Sequence, residues 1–448
     1  MLTPREPEIE RQLGATEDMY WRFDSVSPLN FGTVVGLKGH LDVEHLRQAL
    51  KSLQLRHPLL RVKVQCDLSG NPWFRSGVGM IPLNVINQPQ GEEWNLLERQ
   101  LSTPFDTLQG PLMRCVLIRH DDNECSLIST YHHSVCDGKS AIFLMRDIFQ
   151  SLAQQHAGEP AALTPLPLME YYGDRIPKLE SYATVDGLKT AWKTVQASAN
   201  FMSKIGLPMG IRKTGDNVPL EKQSLFVEPR IIEPELMKLI AKKAKAEHVT
   251  VQCVLNAALS LAVADDSPPN VLQATSSTQV LDIRERLIPP VGEDCGCFVS
   301  GATSLHHLNK SSKFWPLARS IREGLQDNLE TPLPFFHPAM HKSFAQLGRS
   351  MGKAGMKLFS EIIGKLHPEG LSVSNLGQVT IEVENCPVEI TRFGFATNTN
   401  VLNYFNTSAA TYQGRMTWSF SGSSMLTRKR VAKIADRAIE RVMEALET

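Results

Sequence analysis

The chain lacks an excess of either charge. Its 47 Lys and Arg balance 47 Asp and Glu. A phosphate-tracking nucleic-acid binder needs a basic surplus or stripe, and a polybasic membrane anchor needs a basic block; neither is present. A long apolar run is also missing: the longest, Val251 to Ala264, is interrupted by Gln252 and Asn256 and falls short of the ~18–20 residues of a spanning helix. The opening Met1-Leu-Thr-Pro-Arg-Glu-Pro-Glu8 is acidic and carries no apolar h-region, so the reading is a chain without a signal peptide, placed in the cytoplasm. Cysteine is sparse. Cys66, Cys115, Cys125, Cys136, Cys253, Cys295, Cys297 and Cys386 are scattered, unlike the dense cysteines of a disulfide scaffold, and read as free thiols. Cys295-Gly-Cys297 has no second Cys or His pair at zinc-finger spacing. No internal repeat is visible, and no Gly-rich phosphate loop follows a strand, which turns the fold away from dinucleotide-binding domains.

What is present is ordinary globular composition, 42% hydrophobic and 21% charged over 448 residues, enough at about 150 residues per domain for two or three domains. Phe31 to Leu37 suits a strand. Asp42 caps a helix with Leu46, Leu50 and Leu53 on one face, and Pro58 stops it. Leu60, Val62 and Val64 alternate with Arg61 and Lys63 as in a half-buried strand. A helix at Trp94–Leu101, strands at Met113–Ile118 and Ser126–Tyr131, and a helix at Ser140–Leu152 follow. His156 to Met169 holds three prolines and reads as a linker. A helical stretch near Val185–Met202 and a polar one at Gly206–Pro219 come next. Helices at about 233–247 and 250–264, a strand at 271–280, a helix at about 313–328, several short strands between 371 and 420, and an amphipathic helix from Lys429 to Glu447 complete the chain. Strands and helices mix without strict βαβ order, which favours an α+β fold with mixed sheets.

The segment Tyr131-His132-His133-Ser134-Val135-Cys136-Asp137-Gly138 carries the chemistry. Two histidines end an apolar strand, a sharp loop follows, and a helix begins at once. Histidine titrates nearest physiological pH and suits a general base. Adjacent strand residues point to opposite faces, so one ring reaches a cleft and the other enters the packing. A metal site is set aside: the other pair, His306-His307, is distant and has no carboxylate at matching spacing. His-His-x-x-x-Asp-Gly arises by chance in roughly one sequence per thousand of this length and composition.

That segment resembles the signature of the superfamily containing chloramphenicol acetyltransferase, carnitine acyltransferases, condensation domains of nonribosomal peptide synthetases and polyketide-associated acyltransferases of the phthiocerol dimycocerosyl transferase type. Further segments resemble it in the same order: Arg56-His57-Pro58-Leu59-Leu60-Arg61, Gly110-Pro111-Leu112-Met113-Arg114, Leu281-Asp282-Ile283-Arg284 and Ser374-Asn375-Leu376-Gly377. Together they span most of the chain. The Asp-Phe-Gly-Trp-Gly motif of the plant branch is absent, Phe393-Gly394-Phe395 being its nearest echo.

The resemblance implies two chloramphenicol-acetyltransferase-like lobes with an active-site tunnel between them. Residues 1–170 would form the N-terminal lobe carrying the motif, and 171–448 a linker helix and the C-terminal lobe. It implies His133 as the base, with no covalent acyl-enzyme, and Asp137 in a structural ion pair with Arg284 rather than in a Ser-His-Asp relay. His132 would be a packed neighbour. Gly138 would allow the tight turn and lend a backbone N–H to the oxyanion. Ser372 and Ser374 flank Val373 beside Asn375, and one of these groups would assist the oxyanion or the substrate. Cys136 reads as a packing thiol rather than a nucleophile.

The implied reaction moves an acyl group from an acyl-CoA or an acyl-pantetheinyl carrier protein to a small-molecule alcohol or amine. It needs no permanently bound cofactor, metal or nucleic acid, and a monomer suffices because one chain supplies both lobes. Two alternatives stand beside it: a free-standing nonribosomal peptide condensation enzyme using carrier-bound substrates, and a non-catalytic acyltransferase-like scaffold.

Overall fold

The computed structural model describes residues 8–177, 224–266, 273–329, 371–399, 405–424 and 426–448, with isolated positions between 335 and 358. The expected helix at Val185–Met202 and the polar stretch at Gly206–Pro219 lie outside the described residues, as do the first two positions of the expected strand at 271–280.

The first half forms β1 (Glu10–Gln12), α1 (Ala15–Asp24), β2 (Asn30–Lys38), α2 (Val43–Arg56), β3 (Lys63–Cys66), β4 (Pro72–Arg75), β5 (Leu83–Asn87), α3 (Glu93–Ser102), β6 (Met113–Arg119), β7 (Glu124–His132) and α4 (Gly138–His156). Asp42 caps α2 as expected, its Oδ1 accepting from the N–H groups of Glu44 and His45 at 2.7 and 3.1 Å. Leu46, Leu50 and Leu53 are buried beneath it. The strand expected at Leu60–Val64 is corrected. Pro58–Arg61 is a 3-10 turn and the strand begins at Lys63, because proline at the first position of a helical turn presets its dihedral. The stretch after α4 has no regular element and lies along α2: Leu166 N–H donates to the Arg56 carbonyl at 2.8 Å, and Arg56 Nη1 to that of Thr164 at 2.7 Å.

The second half forms β8 (Leu225–Ile232), α5 (Pro234–Ala246), α6 (Val251–Asp265), β9 (Gln273–Asp282), β10 (Val299–Leu308), α7 (Phe314–Leu329), β11 (Leu371–Val379), β12 (Glu389–Thr397), β13 (Phe405–Tyr412), β14 (Arg415–Ser423) and α8 (Arg428–Leu446). The strands expected to be short beyond residue 371 are 8 or 9 residues long. Strands β8 and β10 were not expected. Helix α6, which carries the longest apolar run, is buried on all sides from Cys253 to Ala264, as a core helix must be. Among the described residues no single helix is long and apolar enough to cross a membrane.

These elements build two mixed sheets, each flanked by helices. One has the order β12-β2-β7-β6-β5 and the other β10-β9-β11-β13-β14-β8; a small sheet β1-β4-β3 stands apart. The first core packs β2 and β7 residues such as Phe31, Leu127 and Tyr131 against α2 and α4. The second packs α5, α6, α7 and α8 on Val373, Phe405, Trp418 and Phe420. Strand β12 comes late in the chain yet pairs antiparallel with β2, from Glu389 opposite Lys38 to Thr397 opposite Phe31. It also touches the other sheet, where Ser419 Oγ on β14 donates to the Phe395 carbonyl at 2.5 Å. The described fold is thus a pair of α+β lobes, and the motif sits at the end of β7, in the middle of the first sheet.

Candidate active site

Strand β7 delivers the two histidines to different environments. His132, its last residue, is fully buried. Its Nδ1 accepts from Ser134 N–H at 3.1 Å and Ser134 Oγ at 2.7 Å. An Nδ1 that accepts leaves the proton on Nε2, which faces Asp24 Oδ2 at 3.4 Å. Both sides of this ring are therefore committed to the lobe interior.

His133 is only partly buried. The Tyr20 ring stacks on it with centroids 4.7 Å apart, and Phe31 lies tilted at 5.1 Å. Its Nδ1 is 3.6 Å from Cys297 Sγ, and among the described residues no side chain hydrogen-bonds Nε2. Burial holds its pKa below the ordinary histidine value, although Asp137 and the carbonyls of His133 and Cys136 favour the charged ring. Burial thereby biases this ring toward its uncharged form.

Among the described residues no hydrogen bond joins Asp137 to that ring. It caps α4, with Oδ1 accepting from Ser140 N–H at 2.7 Å. Arg284 donates from Nη1 to Oδ2 at 2.9 Å and from Nη2 to Oδ1 at 3.1 Å, a bidentate pair buried on both sides. Phe298 N–H adds a fourth donor at 2.8 Å. Burial alone would raise the Asp137 pKa, but Arg284 and these donors hold it below the ordinary aspartate value. Arg284 also donates to Ser140 Oγ at 2.7 Å, and its guanidinium lies 4.4 Å over the Phe298 ring.

The partner segment docks residue by residue. Cys295 Sγ donates to the Val135 carbonyl at 2.9 Å, Gly296 exchanges bonds with Ser140 Oγ at 3.0 and 3.1 Å, Cys297 meets His133, and Phe298 meets Asp137. Gly138 is the first residue of α4 and has no left-handed backbone. What a larger residue there would meet is Leu376 on β11: a Cβ would lie 2.5 Å from Leu376 Cδ2, the end of a side chain that would have to move.

Through Leu376, β11 passes beside the motif, bringing Ser372, Ser374 and Asn375 on the same strand, all partly buried. Asn375 Oδ1 accepts from Gly377 N–H at 2.9 Å. Among the described residues no hydrogen bond joins these three side chains to His133. Cys136 is fully buried, its thiol pushed well above the usual range by burial, and it donates to the Asp137 carbonyl at 3.4 Å. Such a thiol is a poor nucleophile. Elsewhere, Arg56 and His57 both meet Asp147 on α4, at 2.7 and 2.8 Å.

Sequence reasoning missed two neighbours of His133. Tyr20 carries no local signal, because α1 reaches the motif only through the folded chain. Cys297 was visible in Cys295-Gly-Cys297, but that spacing was weighed against zinc alone.

The family model described as "Condensation domain" matches residues 24–324, and "Phthiocerol/phthiodiolone dimycocerosyl transferase C-terminus" matches residues 232–419. The phosphinothricin tripeptide synthetase PhsC of Streptomyces viridochromogenes is 29% identical over 179 residues, covering 37% of this chain and 16% of that protein. The chain spans between 2% and 16% of the length of the curated relatives it matches here. Among solved structures, polyketide synthase associated protein 5 from Mycobacterium tuberculosis has a TM-score of 0.66 at 17% identity, covering 98% of this chain and 100% of the other. The TRI3 trichothecene 15-O-acetyltransferase of Fusarium sporotrichioides has a TM-score of 0.71 at 13% identity, covering 98% and 95%. At those identities the likeness is one of fold.

Proposed function

Because the chain belongs to the condensation-domain family, whose members make bonds to acyl groups in natural-product biosynthesis, we propose that it is an acyltransferase working from a thioester donor with His133 as general base. The observation that carries this reading is the state of that ring. It is stacked against Tyr20, engaged at Nδ1, without a side-chain partner on Nε2 among the described residues, and biased by burial toward its uncharged form.

In this reading Nε2 takes the proton of an acceptor hydroxyl or amine as its oxygen or nitrogen attacks the thioester carbonyl. The tetrahedral oxyanion collapses, the carbon–sulfur bond breaks, and the imidazolium returns the proton to the leaving thiolate. No bond to the protein forms. Asp137 holds the loop and the start of α4 in place, which keeps the base aligned. Ser372, Ser374 and Asn375 on the neighbouring strand, with the Gly138 N–H, are the groups proposed to face the oxyanion or substrate. A positioned base contributes ~10²–10⁴-fold, and alignment of the two substrates supplies much of the rest. The donor is an acyl-CoA or an acyl-pantetheinyl carrier, and the acceptor a small alcohol or amine. The match to condensation domains favours the carrier-bound form as the second reading.

The test is turnover of a panel of acyl-CoAs of rising length beside the same acyl groups loaded on a carrier, with free thiol measured by mass spectrometry. Wild type releases thiol, and His133→Ala lowers the rate by ~10²–10⁴-fold. Unchanged turnover in His133→Ala sinks the reading and leaves the scaffold. Turnover of the carrier-loaded form alone selects the free-standing condensation enzyme.

A further inference from the structure

The base touches a residue from the other half of the chain. Cys297 Sγ lies 3.6 Å from His133 Nδ1, on a segment that is itself fixed on both sides. Gly296 is bonded to Ser140 Oγ, and Phe298 N–H donates to Asp137 Oδ2 at 2.8 Å. The sulfur is almost wholly buried. It also meets the Val299 N–H and the Tyr20 side chain, and the Tyr20 ring is the one that stacks on the base. Burial raises the thiol well above its usual range, so the group is a neutral, weakly hydrogen-bonding contact and not a thiolate nucleophile.

An imidazole stacked on one face can still flip by about 180° about its Cβ–Cγ bond, which exchanges Nδ1 with Cδ2 and Nε2 with Cε1. A fixed contact at Nδ1 removes that freedom and sets where Nε2 points. We propose that Cys297 is a positioning residue for His133, aiming Nε2 at the acceptor from across the junction of the two halves. The inference rests on reading His133 as the base. It implies that the base is aligned only when the 295–298 segment is docked on the motif loop.

The test compares Cys297→Ala and Cys297→Ser with wild type and His133→Ala in the full chain, using thioester turnover, KM, the pH profile and the thermal midpoint. Cys297→Ala is expected to lower kcat by about 10- to 100-fold, the scale of a misplaced reactive group. Its KM stays within about twofold, its thermal midpoint stays near wild type, and the apparent pKa of kcat/KM moves. Cys297→Ser, which keeps a short polar group, restores most of the rate. Wild-type kcat and pH profile in Cys297→Ala, with His133→Ala inactive, overturns the positioning role and leaves the base assigned. A fall in activity that tracks a fall in thermal midpoint and is not rescued by serine also overturns it, in favour of packing. Full activity in His133→Ala removes the base reading and this inference together.

Discussion

Two ion-pair clusters join the first half of the chain to the segment between residues 282 and 298, and they are built differently. In one, Asp137 and Arg284 are both buried and the carboxylate has four donors. In the other, Arg56, His57 and Arg146 surround Asp147, and both arginines continue to Glu293, whose side chain is 40% exposed. A buried charge depends on its partner because water cannot replace it, whereas water and salt can stand in for a rim partner. The buried pair lies next to the His132-His133 loop and the wetter one lies further along α4. The contacts that water cannot replace are therefore concentrated beside the motif loop.

The largest expected effect comes from breaking the buried pair. Asp137→Ala leaves Arg284 with only the exposed Asp282 carboxylate at 3.4 Å and should cost about 3–5 kcal/mol of stability, read as a drop in thermal or denaturant midpoint. Wild-type stability with lost turnover would instead place Asp137 in the chemistry. Next in size is the response to acid. The folded Asp137 pKa lies below the ordinary value of 3.8, so the unfolded chain takes up that proton first as pH falls. Its stabilisation is fully present above that value and is lost as pH drops through the lower folded pKa. Asp137→Asn should accordingly give a shallower loss of stability with falling pH below about 4, measured by denaturant titration; an unchanged slope would contradict the assignment. The smallest effect belongs to the outer cluster. Glu293→Gln should cost at most ~1 kcal/mol and less in high salt. A loss as large as that of Asp137→Ala would erase the distinction between the two clusters.

Much of the site was legible because its logic is local. His132, His133, Asp137 and Gly138 fall within seven residues, and strand, loop and helix start follow from the hydrophobic pattern around them. The Asp137–Arg284 pair was reached only through resemblance, since nothing local links positions 147 residues apart. Other elements were hidden for identifiable reasons. Strand β8 contains Pro229, which argues against a central strand, and β8 does lie at the sheet edge. Strand β10, Val-Ser-Gly-Ala-Thr-Ser-Leu-His-His-Leu, has too few large apolar residues to show a period. Pro58 turned an alternating pattern into a 3-10 turn.

By itself the sequence determined the local elements and the histidine pair, because hydrophobic period, caps and turn residues act over a few positions. It also determined the balanced net charge. Only the tertiary structure decided which histidine is wholly buried, that β12 crosses to the first sheet, and that Tyr20 and Cys297 meet at His133. Those outcomes depend on contacts between segments far apart in the chain. Such contacts are selected by burial and by the need of each buried polar group for a partner, conditions that exist only once the lobes have packed.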